Sequence, residues 1–143
     1  MIALIATRLA ARVTTLAGRI GEAVSLADLM GQDRLPQQTP FAHIIPVRIT
    51  SRPPSIIQGS YDQPIEREIA VVLTLRTNDA TGRTAVQGVG GLLDQIILGL
   101  AGWQPTGRFA PLIFRRADLL RADAGTFVYQ ITFAISDELR ITP

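Results

Sequence analysis

Apolar side chains recur at Ile2, Ile5, Leu9, Val13 and Leu16, in steps of three and four, which is the period of an amphipathic helix. Arg8 and Arg12 lie four apart on another face, and Gly18 is suited to closing the helix. A short strand is expected over 19–24. Ser25 and Asp28 then have the spacing of a weak capping box with Asp in place of Glu, opening one or two helical turns that end at Gly31. The polar stretch 31–40 reads as a loop.

Strict alternation follows. Phe41, His43, Ile45, Val47 and Ile49 fall on one face of a strand, and Ala42, Ile44, Pro46 and Arg48 on the other. Pro46 predicts an edge position or a bulge, because it cannot donate to a ladder. Residues 50–64 hold three prolines and a glycine and read as one long loop. Loops of that length in compact domains are usually functional or disordered.

The strongest strand pattern runs from Ile65 to Arg76, with Ile65, Ile69, Val71, Leu73 and Leu75 on one face and Arg67 interrupting it. Asn78 and Asp79 end it and can cap a helix over 82–100, whose apolar positions are Val86, Val89, Leu93, Ile96, Ile97 and Leu100. Gly88, Gly90, Gly91 and Gly99 each weaken that helix by about 1 kcal/mol relative to Ala, which points to close backbone approach. A short strand at 112–114 precedes a hairpin of 119–122 and 126–135 around Asp123-Ala124-Gly125. Phe127, Tyr129, Ile131, Phe133 and Ile135 share one face of its second strand. The predicted fold is α+β: one domain over 1–143, an antiparallel or mixed sheet with two main helices packed on one face.

The composition sharpens this. The 143 residues are 47% hydrophobic and 18% charged, with mean hydropathy +0.25, against about a quarter charged in ordinary domains. Either the core is rich in Ala, Ile and Leu, or part of the surface is buried against a partner. Without cysteine there are no disulfides, thiol catalysis or thiolate metal sites. All fourteen basic residues are Arg, and the net charge is only +2, so the high pI is no nucleic-acid footprint. Arg8 and Arg12 break the first apolar stretch, and no run reaches the ~20 apolar residues of a membrane helix. The expectation is a soluble chain made in the cytoplasm, without a membrane partner.

Candidate chemistry is sparse. His43 lies in an apolar strand and reads as a packed or hydrogen-bonded residue, not a ligand. No metal-ligand spacing and no GxSxG elbow occurs. Glu66 and Glu68 share a strand face and could act as acid and base, but they also fit a solvated face balanced by Arg. The Gly88-Val89-Gly90-Gly91 run lacks the Lys-Ser/Thr of a phosphate loop and lies within a helix. Arg115-Arg116 has no interleaved aromatic residues. No catalytic, cofactor or metal residue is assigned. Ile56, Ile57 and Tyr61 in the long loop either fold back onto the domain or dock into another chain. Trp103, after the second helix, has the same two readings.

Five segments in order carry a resemblance: MIALIATRLAARV, GRIGEAVSLADLMGQDRLPQQTPFAHIIPV, GSYDQPIEREIAVVLTLR, GLLDQIILGLAGW and DAGTFVYQITFAI. The chain resembles the tail terminator proteins, minor tail proteins of long-tailed bacteriophages. The resemblance implies a homohexameric ring at the head–tail junction of the virion, assembled in the host cytoplasm. Such a ring would stop the tail tube protein from polymerising and offer a surface to head-completion or connector proteins, while phage DNA passes through its lumen without specific binding. On this reading the partner-contact candidates are Ile56, Ile57, Tyr61 and Trp103, chosen by composition. The alternatives are a head- or tail-completion adaptor and, more remotely, a small ligand-binding domain or enzyme, or a nucleic-acid binder.

Overall fold

The computed structural model describes every residue except 33, 35, 37, 77–82, 124 and 143, and for 83–89 it describes the backbone alone. Helix α1 (Ile2–Arg12) buries Ile5 and Leu9, and a 3-10 turn at Thr14–Leu16 continues the buried stripe through Val13 and Leu16. Gly18, at φ +75°, redirects the chain into the short strand β1 (Ile20–Glu22). Helix α2 (Ala23–Gly31) follows at once. The remaining elements are β2 (Phe41–Ser51), β3 (Ser55–Ile57), β4 (Ser60–Arg76), α3 (Arg83–Leu100), β5 (Ile113–Asp123) and β6 (Thr126–Ile141).

The sheet order is β1-β2-β4-β6-β5, with β3 also on β4. Only β1 and β2 pair in parallel, so the sheet is mixed but mostly antiparallel. Alternation along β4 and β6 places Ile69, Val71, Leu73, Ile131, Phe133 and Ile135 on one face, all fully buried. Against them pack Ile5 and Leu9 of α1 and Leu92, Ile96 and Leu100 of α3. The two helices meet where Gly99 leaves room: a Cβ there would lie 3.1 Å from the Arg12 Cβ. The protein is α+β, with α1 and α3 on one face of the sheet, as the sequence predicts.

Several boundaries differ from the sequence reading. The first helix is shorter, ending at Arg12 before the 3-10 turn. The proposed capping box is not formed: α2 begins two residues before Ser25, whose hydroxyl donates back to the Glu22 carbonyl at 3.1 Å. Close approach explains Gly99 but not Gly90 and Gly91, where a Cβ would meet nothing within 4 Å. The side chains of Val86 and Val89, the cap at Asn78 and Asp79, and Ala124 lie outside the described residues. The two short strands expected over 112–122 are one strand, β5, kinked by irregularities after Phe114 and Leu119.

The largest correction concerns 50–64. It is not a loop but the end of a long hairpin. β2 runs on to Ser51, breaks at Arg52-Pro53-Pro54, and resumes as β3 along the same side of β4. Ile57 pairs with Ser60 across Gln58 and Gly59, both at positive φ (+50° and +82°). Two consecutive left-handed residues match the twist of a tight hairpin. The prolines are accommodated by position. Pro53 and Pro54 fill the gap between β2 and β3, and the Pro64 carbonyl accepts from the Arg52 N–H at 3.0 Å across that gap.

Candidate assembly surface

β4 and β6 pair continuously from Tyr61↔Ile141 to Arg76↔Thr126, about 50 Å of ladder. On the helix side the fully buried residues begin at Ile69 on β4 and extend to Ile135 on β6. What remains is an arm: β3, the first residues of β4 and the last of β6. β5 stops opposite Ala134, so along 137–141 β6 is paired with β4 alone among the described residues.

Register assigns the faces of this arm. Directly opposed residues share a face. Ile56 opposes Tyr61, which opposes Ile141, so the three form a row across the arm on the helix side of the sheet. The next row on that side pairs Gln63 with Leu139. The irregularity between Pro46 and Arg48 shifts β2 by one residue, so that Ile49 opposes Arg67 and joins the same side. Pro46 thus predicts the bulge correctly. Ile56 (69% exposed), Ile49 (60%), Ile141 (54%) and Leu139 (41%) therefore project together from a face that is core elsewhere. The Tyr61 hydroxyl donates to the Gln63 side-chain oxygen at 2.7 Å, which leaves its ring as part of the row.

The opposite side of the arm is polar. Arg140 opposes Asp62 there and bonds Glu138 at 2.8 Å. Farther along the same side, Arg48 lies 3.9 Å from Glu68 and Arg115 2.6 Å from Glu66. The two glutamates thus sit on an ion-paired, solvated face. Arg115-Arg116 is likewise matched by carboxylates, Glu66 and Asp118.

The four sequence candidates are not one cluster. Ile56 and Tyr61 are neighbours. Ile57 opposes Ser60 and points to the polar side, although it is as exposed as Ile56 (68%). Trp103 is not on the arm but just after α3. It is half-buried against the core, and the Arg8 guanidinium lies 5.5 Å over its ring while Arg8 Nε donates to the Gly99 carbonyl. Ile49, Leu139 and Ile141 were missed. The period-2 signal does continue past Ile135 through Leu139 and Ile141, but Ser136-Asp137-Glu138 reads as its end.

Asp137 fixes the root of the arm. Its side chain is almost fully buried and accepts from Arg67 Nε at 3.3 Å, from Arg108 at 3.4 Å and from the Glu138 N–H at 2.8 Å. Burial pushes the carboxyl pKa up, but the Glu138 and Arg67 hydrogen bonds and the charges of Arg108 and Arg67 outweigh it and hold the group below its ordinary value. One strand of the arm is thereby tied to its neighbour and to the α3–β5 connection. Among the described residues no cluster of His, Cys, Asp or Glu suits a metal ion, and no helix is long and apolar enough to cross a membrane.

No curated protein sequence matches this chain. Among solved structures, a chain of the virion of a native gene transfer agent particle has a similar fold, with a TM-score of 0.53 at 15% identity, covering 97% of this chain and 95% of that one. The family model of the phage tail terminator protein matches residues 1–143, from end to end, and the chain belongs to that family.

Proposed function

We propose that this protein caps the phage tail tube as a homohexameric ring, ends tube polymerisation there and presents the joining surface to the head-completion proteins, leaving a lumen for DNA. As a member of its family it is a structural protein of the phage tail. The observation that carries the finer reading is the arm. It extends the sheet beyond its helices and holds Ile49, Ile56, Leu139 and Ile141 in the open. Exposed apolar clusters of this kind mark protein contacts. Docking of the arm's row onto the body of another copy would join two unlike patches. Such contacts repeat, and where the rotation closes they form a ring.

The test combines mass and microscopy. Light scattering on the purified protein gives its oligomeric state alone, and electron microscopy follows its mixing with tail tubes. Rings seated on one tube end, with growth arrested there, are expected. A monomer that leaves tube ends open overturns the proposal in favour of a head-completion adaptor.

A further inference from the structure

Every residue of the edge strand β5 is exposed, and its two sides differ in chemistry. Phe114, Ala117, Leu119 and Ala122 oppose Phe133, Ile131, Tyr129 and Phe127 of β6, so they lie on the helix side of the sheet. On the other side stand Arg116, Asp118, Arg121 and Asp123, which pair among themselves, Arg116 with Asp118 at 3.1 Å and Arg121 with Asp123 at 2.7 Å. The helix side of β5 thus holds no charged residue, yet Phe114 and Leu119 are 36% and 50% exposed there.

Helix α3 borders this strip. Its Gly99 faces Arg12 of α1, and Leu93 and Ile97, four residues apart, lie on the flank of the helix away from that contact. Both are half-buried against the core. α1 packs toward β2, so the free flank of α3 looks toward the β6–β5 side of the sheet. Phe114, Ala117 and Leu119 form a shelf beside that flank. The arm's row cannot cover the shelf of its own chain. Leu139, its nearest member on β6, stands six residues beyond Phe133, about 20 Å along a continuous ladder.

We infer that this shelf receives the arm of a neighbouring copy, with Ile56, Tyr61 and Ile141 laid against Phe114 and Leu119, a contact that presupposes the ring proposed above. The chemistry of the two patches matches. Each is the apolar side of a ribbon whose other side neutralises its own charges: Arg140 with Glu138 and Asp62 on the arm, and the two Arg–Asp pairs on β5. A charged partner would lose its hydration on either patch and gain no counter-charge. The sizes match as well. The row spans three strands, about 10 Å, and the shelf five residues of β5, about 17 Å. Each copy carries one row and one shelf, so a head-to-tail contact uses both. A two-fold contact of arm on arm would leave every shelf bare.

The chain has no cysteine, so thiol cross-linking reads the contact directly. The full chain carrying both Ile56→Cys and Leu119→Cys, treated with a short bismaleimide in the presence of tail tubes, should give a ladder of covalent oligomers up to the ring. Each single variant should stay uncross-linked. As a second readout, Leu119→Asp should lower the association constant about a hundredfold or more, since it buries an unpaired carboxylate, and leave the urea midpoint of the monomer unchanged. Ala117→Arg, at a second position on the shelf, should act the same way. Covalent dimers from Ile56→Cys alone would mean that arm meets arm and would overturn the inference. So would a double variant whose rings give no ladder, or Leu119→Asp and Ala117→Arg chains that associate like the wild type. A wild-type chain that stays monomeric with tail tubes present would instead sink the ring itself, and that result is seen before any variant is made.

Discussion

Ile56 and Ile57 are adjacent, chemically identical and almost equally exposed, yet the register of β3 on β4 turns them to opposite sides of the arm. A substitution at each therefore separates the apolar row from mere exposure. Fully burying an Ile side chain is worth about 1.5–3 kcal/mol. Ile56 is 69% exposed in the single chain, so its burial by a neighbour can add about two-thirds of that, roughly 1–2 kcal/mol. Ile56→Ala should weaken each contact by up to about 5–30-fold. Ile56→Asp should abolish it, because it would also bury an unpaired carboxylate.

Ile57 lies among Ser55, Ser60, Asp62 and Arg140 on the polar side. Ile57→Ala should move the association constant less than twofold. Neither change should shift the unfolding midpoint of the monomer, since surface substitutions stay within about 0.5 kcal/mol. Sedimentation velocity over a concentration series, with urea melts as the fold control, reads both quantities. Equal effects at the two positions, or none at Ile56, would refute the assignment of the helix-side row as the contact.

Three further outcomes follow from the packing. Asp137→Asn should lower stability by about 1–3 kcal/mol, as loss of charged hydrogen bonds does, seen as a lower urea midpoint at unchanged slope. Because the wild-type carboxyl is held below its ordinary pKa, its contribution is present above about pH 4, the unfolded value, and disappears only as pH falls through the folded one; the variant should lack that acid limb. Phe133→Ala, at the centre of the core and edge-on to Phe114 at 6.0 Å, should cost about 3–5 kcal/mol, measured the same way. Gly21→Ala should cost about 1–3 kcal/mol by overpacking, and exchange measurements should place the damage in α2, because the added methyl meets Ser25 and His43 first.

The regular parts of the fold were open to reading because burial there follows one period. Ile131 and Phe133 alternate with the less apolar Gln130, Thr132 and Ala134, and α1 repeats at three and four. Ala42 and Ile44 show the limit of such reading. They are the smaller set on β2, yet they face the core, while His43 is buried on the other side under α2. Alternation identifies two faces without saying which one the helices will cover. Strand length fails for a related reason. A strand that leaves the body no longer has to be apolar on one side throughout, so Asp137 and Gln63 interrupt the pattern where pairing continues.

The arm was hidden by its prolines. Three of them within 53–64 predict a break, and each is tolerated only because of its place: two in the gap between strands, one facing that gap. Composition alone therefore found Ile56 and Tyr61 for a sound reason, since apolar residues in a polar stretch need a partner, but could not sort them from Ile57. That sorting requires the tight turn at Gln58-Gly59, which sets the register, and the register in turn brings Ile141 from the far end of the sequence into line with Ile56. A change in turn length would slip β3 by one residue and exchange the two isoleucines between faces. The turn is therefore as much a part of the contact surface as the side chains it positions.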